Sequence, residues 1–261
     1  MSRRSNATSI DSREVNRALR EIVWPALKLI GFSRRTQRTA WRDRSGVIQV
    51  VNFQSFNSYL AEGLASTTFS FSVNLGVFYE AIADRSSMRG FIKDPSRPEE
   101  YHCHARKHLG KGIVQPNEPT TRRWFDPRPT SSPLGRWVDR PDIWFVLPDG
   151  SNLNLVVTDA RDRILETGLP WLERLSDLQE ARRHFHAVED SEQARGILAE
   201  HYGGTLGSPR RWHAIGALSA ALGDQIGTQS AIDEMAVEPY YVDHPADLEL
   251  LRASHGKGDV S

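Results

Sequence analysis

The chain has 261 residues, of which 39% are hydrophobic and 25% charged, and its formal net charge is zero. This length and composition exclude a disordered chain and a small scaffold that needs disulfides or metals for stability. The single cysteine, Cys103, excludes an intramolecular disulfide and is typical of a reducing compartment. Because the sequence has no signal peptide and no long apolar run, we expect a cytoplasmic protein with no membrane span.

The charge is unevenly distributed along the chain. Residues 1–150 contain 23 Lys and Arg against 15 Asp and Glu, whereas residues 151–261 contain 10 against 18. Such an asymmetry indicates oppositely charged partners for the two parts, or two parts that face each other. We therefore expect the later helices to pack against, or compete for, the basic side of the first part. The zero net charge argues against a nucleic-acid partner.

The first predicted element is a helix over residues 11–30. Residues 1–10 are polar, and we expect them to be disordered. Asp11 followed three residues later by Glu14 is the pattern of a capping box. Pro25 lies inside the apolar pattern and predicts a kink near Trp24 or a break into two helices. The apolar residues recur at helical spacing up to Gly31: Val15, Leu19, Ile22, Val23, Leu27 and Ile30.

Alternating patterns then predict antiparallel strands over residues 34–44, 47–56 and 68–79. The turn at residues 44–46 makes the first two strands a hairpin. Prolines interrupt residues 80–140, so only an edge segment at 101–109 and an apolar run at 143–147 are predicted there.

The remainder of the chain has helical patterns, over residues 151–167, 170–186, 190–202, 209–224 and 227–238. We therefore predict an α+β fold, with an antiparallel sheet of about four strands covered by the N-terminal helix and by later helices. The predicted domains are an α+β core at 11–188 and a C-terminal helical appendage at 189–254. A disordered tail follows at 255–261.

Several short motifs of this chain, in this order, resemble a bacterial family of domains of unknown function, the family numbered 4304. They are Gly31-Phe32 with basic residues after it, Val51-Asn52-Phe53-Gln54, Val73-Asn74-Leu75-Gly76, Trp124-Phe125 and Gly168-Leu169-Pro170-Trp171-Leu172. The resemblance covers about residues 12–185. It implies a fold order and a bacterial setting, and it implies no catalytic residues.

Two sets of polar residues are candidates for ligand binding. Arg34, Arg38 and Arg42 share one face of the predicted strand 34–44 and could bind an anion, or they could be solvated charges that protect a sheet edge. The amides Asn52, Gln54 and Asn74 could line a ligand patch, or they could satisfy buried backbone groups.

A histidine-rich segment, Tyr101 to His108, is the densest cluster of possible metal ligands. On a strand His102, His104 and His108 would share a face, which suits two ligands of a zinc or iron site. The alternative is a polar edge strand, and the adjacent Arg106 and Lys107 would disfavour a cation. We assign no metal, no cofactor and no catalytic residue, and a lone Cys103 is more often inert than nucleophilic.

The residues thus leave two function classes open. The preferred interpretation is a non-catalytic binding or accessory protein that recognises another protein through the sheet or through the region around Trp124 and Trp137. The alternative is a small metal-dependent hydrolase or nucleic-acid-acting enzyme that uses the segment with His102, His104 and His108. Whether the chain is an enzyme stays open, with the weight against it.

Overall fold

The computed structural model of the protein describes residues 10–58, 61, 66–82, 92, 94–113, 123–126, 136–139, 142–187 and 211–255. The chain divides into two compact units. The first unit comprises Met1–Ala40, Val51–Asn74 and His108–Leu169, and the second comprises Trp41–Val50, Leu75–Lys107 and Pro170–Ser261. The statements below concern the described residues of each unit.

The N-terminal helical run consists of α1 (Ser12–Ala18), a π-helical turn (Leu19–Val23) and α2 (Trp24–Leu29). The predicted capping box is formed, because Asp11 Oδ1 accepts from the Glu14 N–H at 3.2 Å and Glu14 Oε2 accepts from the Asp11 N–H at 3.2 Å. The sequence predicted a kink near Trp24 or a break into two helices, and in the structure the π-helical turn separates α1 from α2 directly before Trp24. In the π-turn the Trp24 N–H donates to the Leu19 carbonyl, which widens the turn before Pro25 and gives its ring room beside the preceding carbonyls.

The helical run ends at Gly31, which has a φ of 98°. The Gly31 N–H donates to the Lys28 carbonyl at 3.1 Å, and the Phe32 N–H donates to the Leu27 carbonyl at 3.0 Å. These two bonds define a Schellman motif, whose left-handed residue is usually glycine because glycine has no Cβ. The motif reverses the direction of the chain, so that Phe32, Ser33 and Arg35 lie beside the last turns of the helical run.

The sheet contains β1 (Arg34–Arg35), β2 (Thr39–Arg44), β3 (Val47–Ser55), β4 (Phe71–Tyr79), β5 (Ala105–His108) and β8 (Ile143–Trp144). The strands β1 to β5 are hydrogen-bonded in chain order, and β8 pairs with β4 in antiparallel register. A separate antiparallel ribbon joins β6 (Arg123–Asp126) to β7 (Arg136–Asp139). The α+β class and the antiparallel sheet are confirmed, with more strands than predicted because the additional ones are too short for a pattern.

The predicted single strand over residues 34–44 was wrong. A bend at residues 36–38 separates β1 from β2, and the Thr36 hydroxyl accepts from the Thr39 N–H at 3.0 Å. Thr36 also donates its own N–H to the Thr39 carbonyl at 2.7 Å. The threonine side chain thus stabilises a local turn that competes with strand geometry.

Aromatic rings form the core of the first unit. Trp24 meets Phe53 edge to face with ring centroids 5.5 Å apart, Phe53 meets Phe71 at 5.5 Å, and Phe71 stacks on Trp144 at 5.9 Å. The Trp144 indole donates to Asp159 Oδ2 at 2.7 Å, and Asp159 belongs to α3 (Leu153–Arg163), which a π-turn (Ile164–Gly168) extends. The N-terminal helical run and the sheet therefore share one core in this unit.

The second unit packs helices against its part of the sheet. The helices are α4 (Leu169–Ser176), α5 (Leu178–His186), α6 (Arg211–Ala221), α7 (Gln225–Val237), α8 (Pro239–Asp243) and α9 (Pro245–His255). The Tyr79 hydroxyl donates to the Leu175 carbonyl at 2.8 Å, and its ring meets Phe185 edge to face. A Cβ at Gly216 would lie 2.3 Å from Leu251 Cδ2, so α6 and α9 approach each other closely at this glycine.

The helices of the structure differ in their bounds from the predicted ones, and one predicted helix is divided in two. The predicted helix 170–186 is divided at Asp177, whose side chain accepts from the Gln179 and Glu180 N–H groups and caps α5. The predicted helix 190–202 lies outside the described residues, as do residues 1–9 and 256–261. Ile10, which was predicted to be disordered, is buried. In the part of the chain that the structure describes, no helix is long and apolar enough to cross a membrane.

Candidate functional site

The three predicted arginines occupy different environments. Arg34 lies in β1, Arg38 lies in the bend that follows, and Arg42 is buried in β2. Arg34 and Arg38 belong to the first unit and Arg42 to the second. The bend at residues 36–38 removes the strand periodicity on which their shared face was predicted.

Arg42 is held by protein groups. Its Nη2 donates to Glu173 Oε1 at 2.8 Å, and its Nε donates to Gln49 Oε1. Arg44 also reaches Glu173 Oε1, at 3.0 Å. Burial lowers the pKa of Arg42, although the negative charge of Glu173 acts in the opposite direction. Within the second unit an acidic residue of a later helix thus pairs with the basic strand, which is the arrangement that the charge asymmetry predicted.

Arg38 has a different environment. Burial lowers its pKa to about 10, and its Nη1 has no hydrogen-bond partner among the described residues. Its backbone carbonyl accepts from the Phe53 N–H at 2.8 Å and fixes the bend beside β3. Anion binding by Arg34, Arg38 and Arg42 stays a prediction.

The three predicted amides lie in the first unit and form two side-chain pairs. Asn52 Nδ2 donates to Thr39 Oγ1 at 2.9 Å, and Asn74 Nδ2 donates to Gln54 Oε1 at 2.7 Å. Asn74 is buried, and its Oδ1 has no partner among the described residues. The pairing links neighbouring strands, which gives these amides a structural role. Ligand binding by them stays a prediction.

β5 lies inside the predicted edge segment 101–109, but it contains only His108, so the three histidines do not share a strand face. His102 ends a 3₁₀ turn (Glu100–His102), and His104 precedes the strand. His108 belongs to the first unit, where its Nδ1 lies 3.7 Å from Asp142 Oδ2, whereas His102 and His104 belong to the second. No group of three or more His, Cys, Asp or Glu side chains that could hold a metal ion occurs among the described residues.

His104 is a buried part of the second unit's core. Its Nδ1 accepts from the Tyr79 N–H at 3.0 Å, and its ring stacks on Phe78 with centroids 4.8 Å apart. Burial, with a smaller effect from His213, lowers its pKa to about 3, so the ring is neutral at physiological pH. His102 Nδ1 accepts from the Glu99 N–H at 3.2 Å, and burial lowers its pKa. These hydrogen bonds fix the orientation of both rings and give the two histidines a structural role.

Cys103 is buried against β4. A Cβ at Gly76 would lie 2.4 Å from its Sγ, so the strand needs glycine at this position. Burial, and then the charge of Glu100, raise the pKa of the thiol well above its usual range. A nucleophilic cysteine needs the opposite shift.

A basic cleft lies on the N-terminal helical run of the first unit and has a volume of about 220 Å³. Arg20, Trp24 and Lys28 contribute to it at intervals of four residues, a spacing that places side chains on one helix face. The Schellman motif then directs Phe32 and Arg35 to the same cleft, which Pro25 and Ser33 complete. We name the cleft formed by these residues the α2 cleft.

The α2 cleft carries three cations, Arg20, Lys28 and Arg35, and among the described residues no acidic side chain lines it. Within the described part of the chain none of the three forms an ion pair. Trp24 is 4% exposed, and its indole N–H has no hydrogen-bond partner among the described residues. Buried polar groups are normally hydrogen-bonded, so an unpaired donor beside three cations indicates a place for an acceptor.

The sequence contains a signal for the α2 cleft that the predicted site residues do not include. Arg20, Trp24 and Lys28 recur every four residues and alternate with the apolar positions that face the core. Arg35 could not be placed with them, because only the chain reversal after Gly31 brings it to this helix face.

The fold and the site define an α+β protein with an antiparallel sheet and a basic cleft on its first helix. The family model described as "Domain of unknown function (DUF4304)" matches residues 23–174, and the chain belongs to this family. The match lies inside the predicted span and includes most of the α2 cleft. Comparison with curated proteins and with solved structures finds no match.

Proposed function

We propose that this protein is a non-catalytic binding module that recognises another protein through the α2 cleft. The observation that carries the proposal is the group of three cations without ionic partners in the described residues, beside the unpaired indole N–H of Trp24. The three cations are exposed and can therefore form charge-assisted hydrogen bonds with an external anion.

The surrounding charge supports this proposal. Residues 11–40, which belong to the same unit as the cleft, contain seven Lys and Arg against three Asp and Glu. An excess of one sign on a surface accelerates encounter with an oppositely charged partner and suppresses wrong partners. The partner that this surface selects is acidic.

The histidine segment supports a non-catalytic role. His104 is buried and accepts a backbone hydrogen bond, and Cys103 has a raised pKa. A general base near neutral pH needs a pKa close to 7, whereas burial lowers the pKa of His104 to about 3. We place the protein in the bacterial cytoplasm, since a single cysteine fits a reducing compartment.

The test begins with the full chain as bait in a lysate of its source organism, with captured proteins identified and then purified. Titration of the purified partner should give a stoichiometric complex whose affinity falls as salt is added. The absence of a stoichiometric partner, together with zinc- or manganese-dependent hydrolysis that His108→Ala abolishes, would instead establish the enzymatic alternative.

A further inference from the structure

The α2 cleft has the dimensions of a site for one side chain. Its volume of about 220 Å³ lies below the range of roughly 300–1,000 Å³ that is typical of small-molecule and cofactor sites. Arg20 and Lys28 are eight residues apart on the helical run, which is a rise of about 12 Å. Two long cationic side chains can span that distance and converge on a single anionic group above Trp24.

The donors of the cleft suit an oxyanion. Two guanidinium groups offer paired N–H donors that match a phosphate or a carboxylate, and the Lys28 ammonium adds a point charge, while the unpaired Trp24 indole N–H is buried beside them. A phosphorylated Ser or Thr carries close to two negative charges at neutral pH and offers three acceptor oxygens. A carboxylate offers one charge and two oxygens, and therefore satisfies fewer of these donors.

An exposed leucine beside the cleft indicates a peptide as the carrier of that anion. Leu29 is 89% exposed, and it follows Lys28 and lies one helical turn after Pro25, both of which line the cleft. A protein ligand can cover this apolar side chain with one of its own, whereas a nucleic-acid backbone offers no such group next to its phosphates.

We propose that the α2 cleft binds one anionic side chain, a phosphorylated Ser or Thr or a carboxylate, on a segment of the protein partner. The inference deepens the proposed function and rests on it. Recognition of phosphorylated or acidic segments by clustered basic residues is a physically established mode of peptide binding. The unpaired donors of the cleft make binding of the anionic segment dependent on Arg20, Lys28 and Arg35.

The test uses fluorescein-labelled nine-residue peptide pools that are randomised except at the centre, which is phosphoserine, phosphothreonine, Glu or Gln. Anisotropy titrations with the full chain should show binding of the anionic pools and none of the Gln pool. Phosphorylated pools that bind more tightly than the Glu pool identify the dianion as the ligand, and equal affinities identify the carboxylate.

Two double variants of equal net charge show where the peptides bind. Lys28→Ala/Arg35→Ala should weaken binding of the anionic pools at least about tenfold, because it removes two charge-assisted contacts. Arg13→Ala/Arg17→Ala removes two cations of the same helical run that do not line the cleft, and it should leave the affinity within about twofold. Thermal melting of both variants verifies that they are folded.

The Trp24 indole provides a direct readout of the site. Its ¹⁵N–¹H resonance, assigned by its disappearance in Trp24→Phe, should shift when the anionic pool is added. Equal binding by the two double variants would overturn the inference, as would binding of the Gln pool or an unshifted indole resonance. Tighter binding of a single-stranded oligodeoxynucleotide than of any pool would overturn it in favour of nucleic acid.

The two proposals fail in different experiments. A purified partner that binds Lys28→Ala/Arg35→Ala as tightly as the unmodified chain overturns the role of the α2 cleft and leaves a protein-binding function in place. Absence of any stoichiometric partner overturns the binding function itself.

Discussion

The histidine segment and the α2 cleft are both rich in polar side chains, but the structure uses them differently. His104 and His102 accept backbone hydrogen bonds within their own unit, and Cys103 is buried against Gly76. In the α2 cleft, Arg20 and Lys28 have no ionic partner among the described residues. The proposed site is therefore distinguished by the absence of internal partners and not by the density of its functional side chains.

Acidification should have the largest effect on the free energy of unfolding, because it protonates buried histidines such as His104. Burial lowers the pKa of His104 to about 3 and that of His184 to about 4 in the folded protein. The unfolded chain binds these protons near pH 6.5, so the stabilisation is present above that pH and is lost as the pH falls towards the folded pKa values. Each group should lower the free energy of unfolding by about 1.4 kcal/mol per pH unit in this window.

Urea unfolding between pH 7 and pH 4 measures this slope. The variant His104→Asn keeps an acceptor for the Tyr79 N–H and removes the titrating ring. Its slope should be smaller by about one proton, which is about 1.4 kcal/mol per pH unit, whatever its stability at pH 7. A slope identical to that of the unmodified chain would show that His104 is exposed to protons when folded.

Glu173→Ala should have the next largest effect, because it removes the acidic partner of a buried cation. Arg42 has a side-chain exposure of 3%, whereas Glu173 is 44% exposed. Breaking a buried ion pair costs roughly 3–5 kcal/mol, and the half-exposed carboxylate reduces our expectation to about 2–3 kcal/mol. Chemical denaturation at pH 7 measures the loss.

Glu180→Ala is the matched control for that prediction. Glu180 contacts Arg183 at 2.7 Å, but Arg183 is 66% exposed. An exposed pair contributes about 0–1 kcal/mol, so the two alanine variants should differ clearly. Equal losses would mean that burial of Arg42 does not determine the strength of its pairing.

The amide pairs should show a smaller coupling. A double-mutant cycle with Gln54→Ala and Asn74→Ala isolates the hydrogen bond between the two side chains. We expect a coupling energy of about 1 kcal/mol, the usual net value of such a bond. A coupling near zero would favour the alternative that these amides are oriented for a ligand.

The α2 cleft should show the smallest effect on stability. Lys28→Ala and Arg35→Ala each remove an exposed cation that has no ionic partner among the described residues. Their melting curves should indicate changes within about 0.5 kcal/mol, as is usual for surface substitutions. A loss above about 1 kcal/mol would show that these cations serve the fold, and the comparison with the histidine segment would then lose its basis.

The sequence predicted the elements whose signal is local and repeated. The capping box of Asp11 and Glu14 and the alternation that gives β4 follow from nearest neighbours and from one buried face. β1 lies within the predicted strand 34–44 and β8 within the predicted apolar run 143–147, but neither was predicted as a separate strand, because two residues carry no periodicity and depend on the strand beside them. The bend at Thr36 was also missed, because a hydroxyl can stabilise a turn or face a neighbour in a strand.

The candidate site was less predictable than the fold. Of the three predicted amides, Gln54 and Asn74 are hydrogen-bonded to each other, whereas Asn52 is bonded to Thr39. The histidines were separated from a common face because a 3₁₀ turn replaces the first half of the predicted strand.

The amino-acid sequence by itself determined the α+β class, the family and the excess of basic charge in the first part of the chain, because composition and periodicity do not depend on distant contacts. Tertiary structure decided which of the charges have partners. Glu173 pairs with Arg42 across more than a hundred residues of chain, whereas the reversal at Gly31 brings Arg35 to Lys28 and Trp24. Pairing depends on distance and burial, and both arise only when the chain is folded.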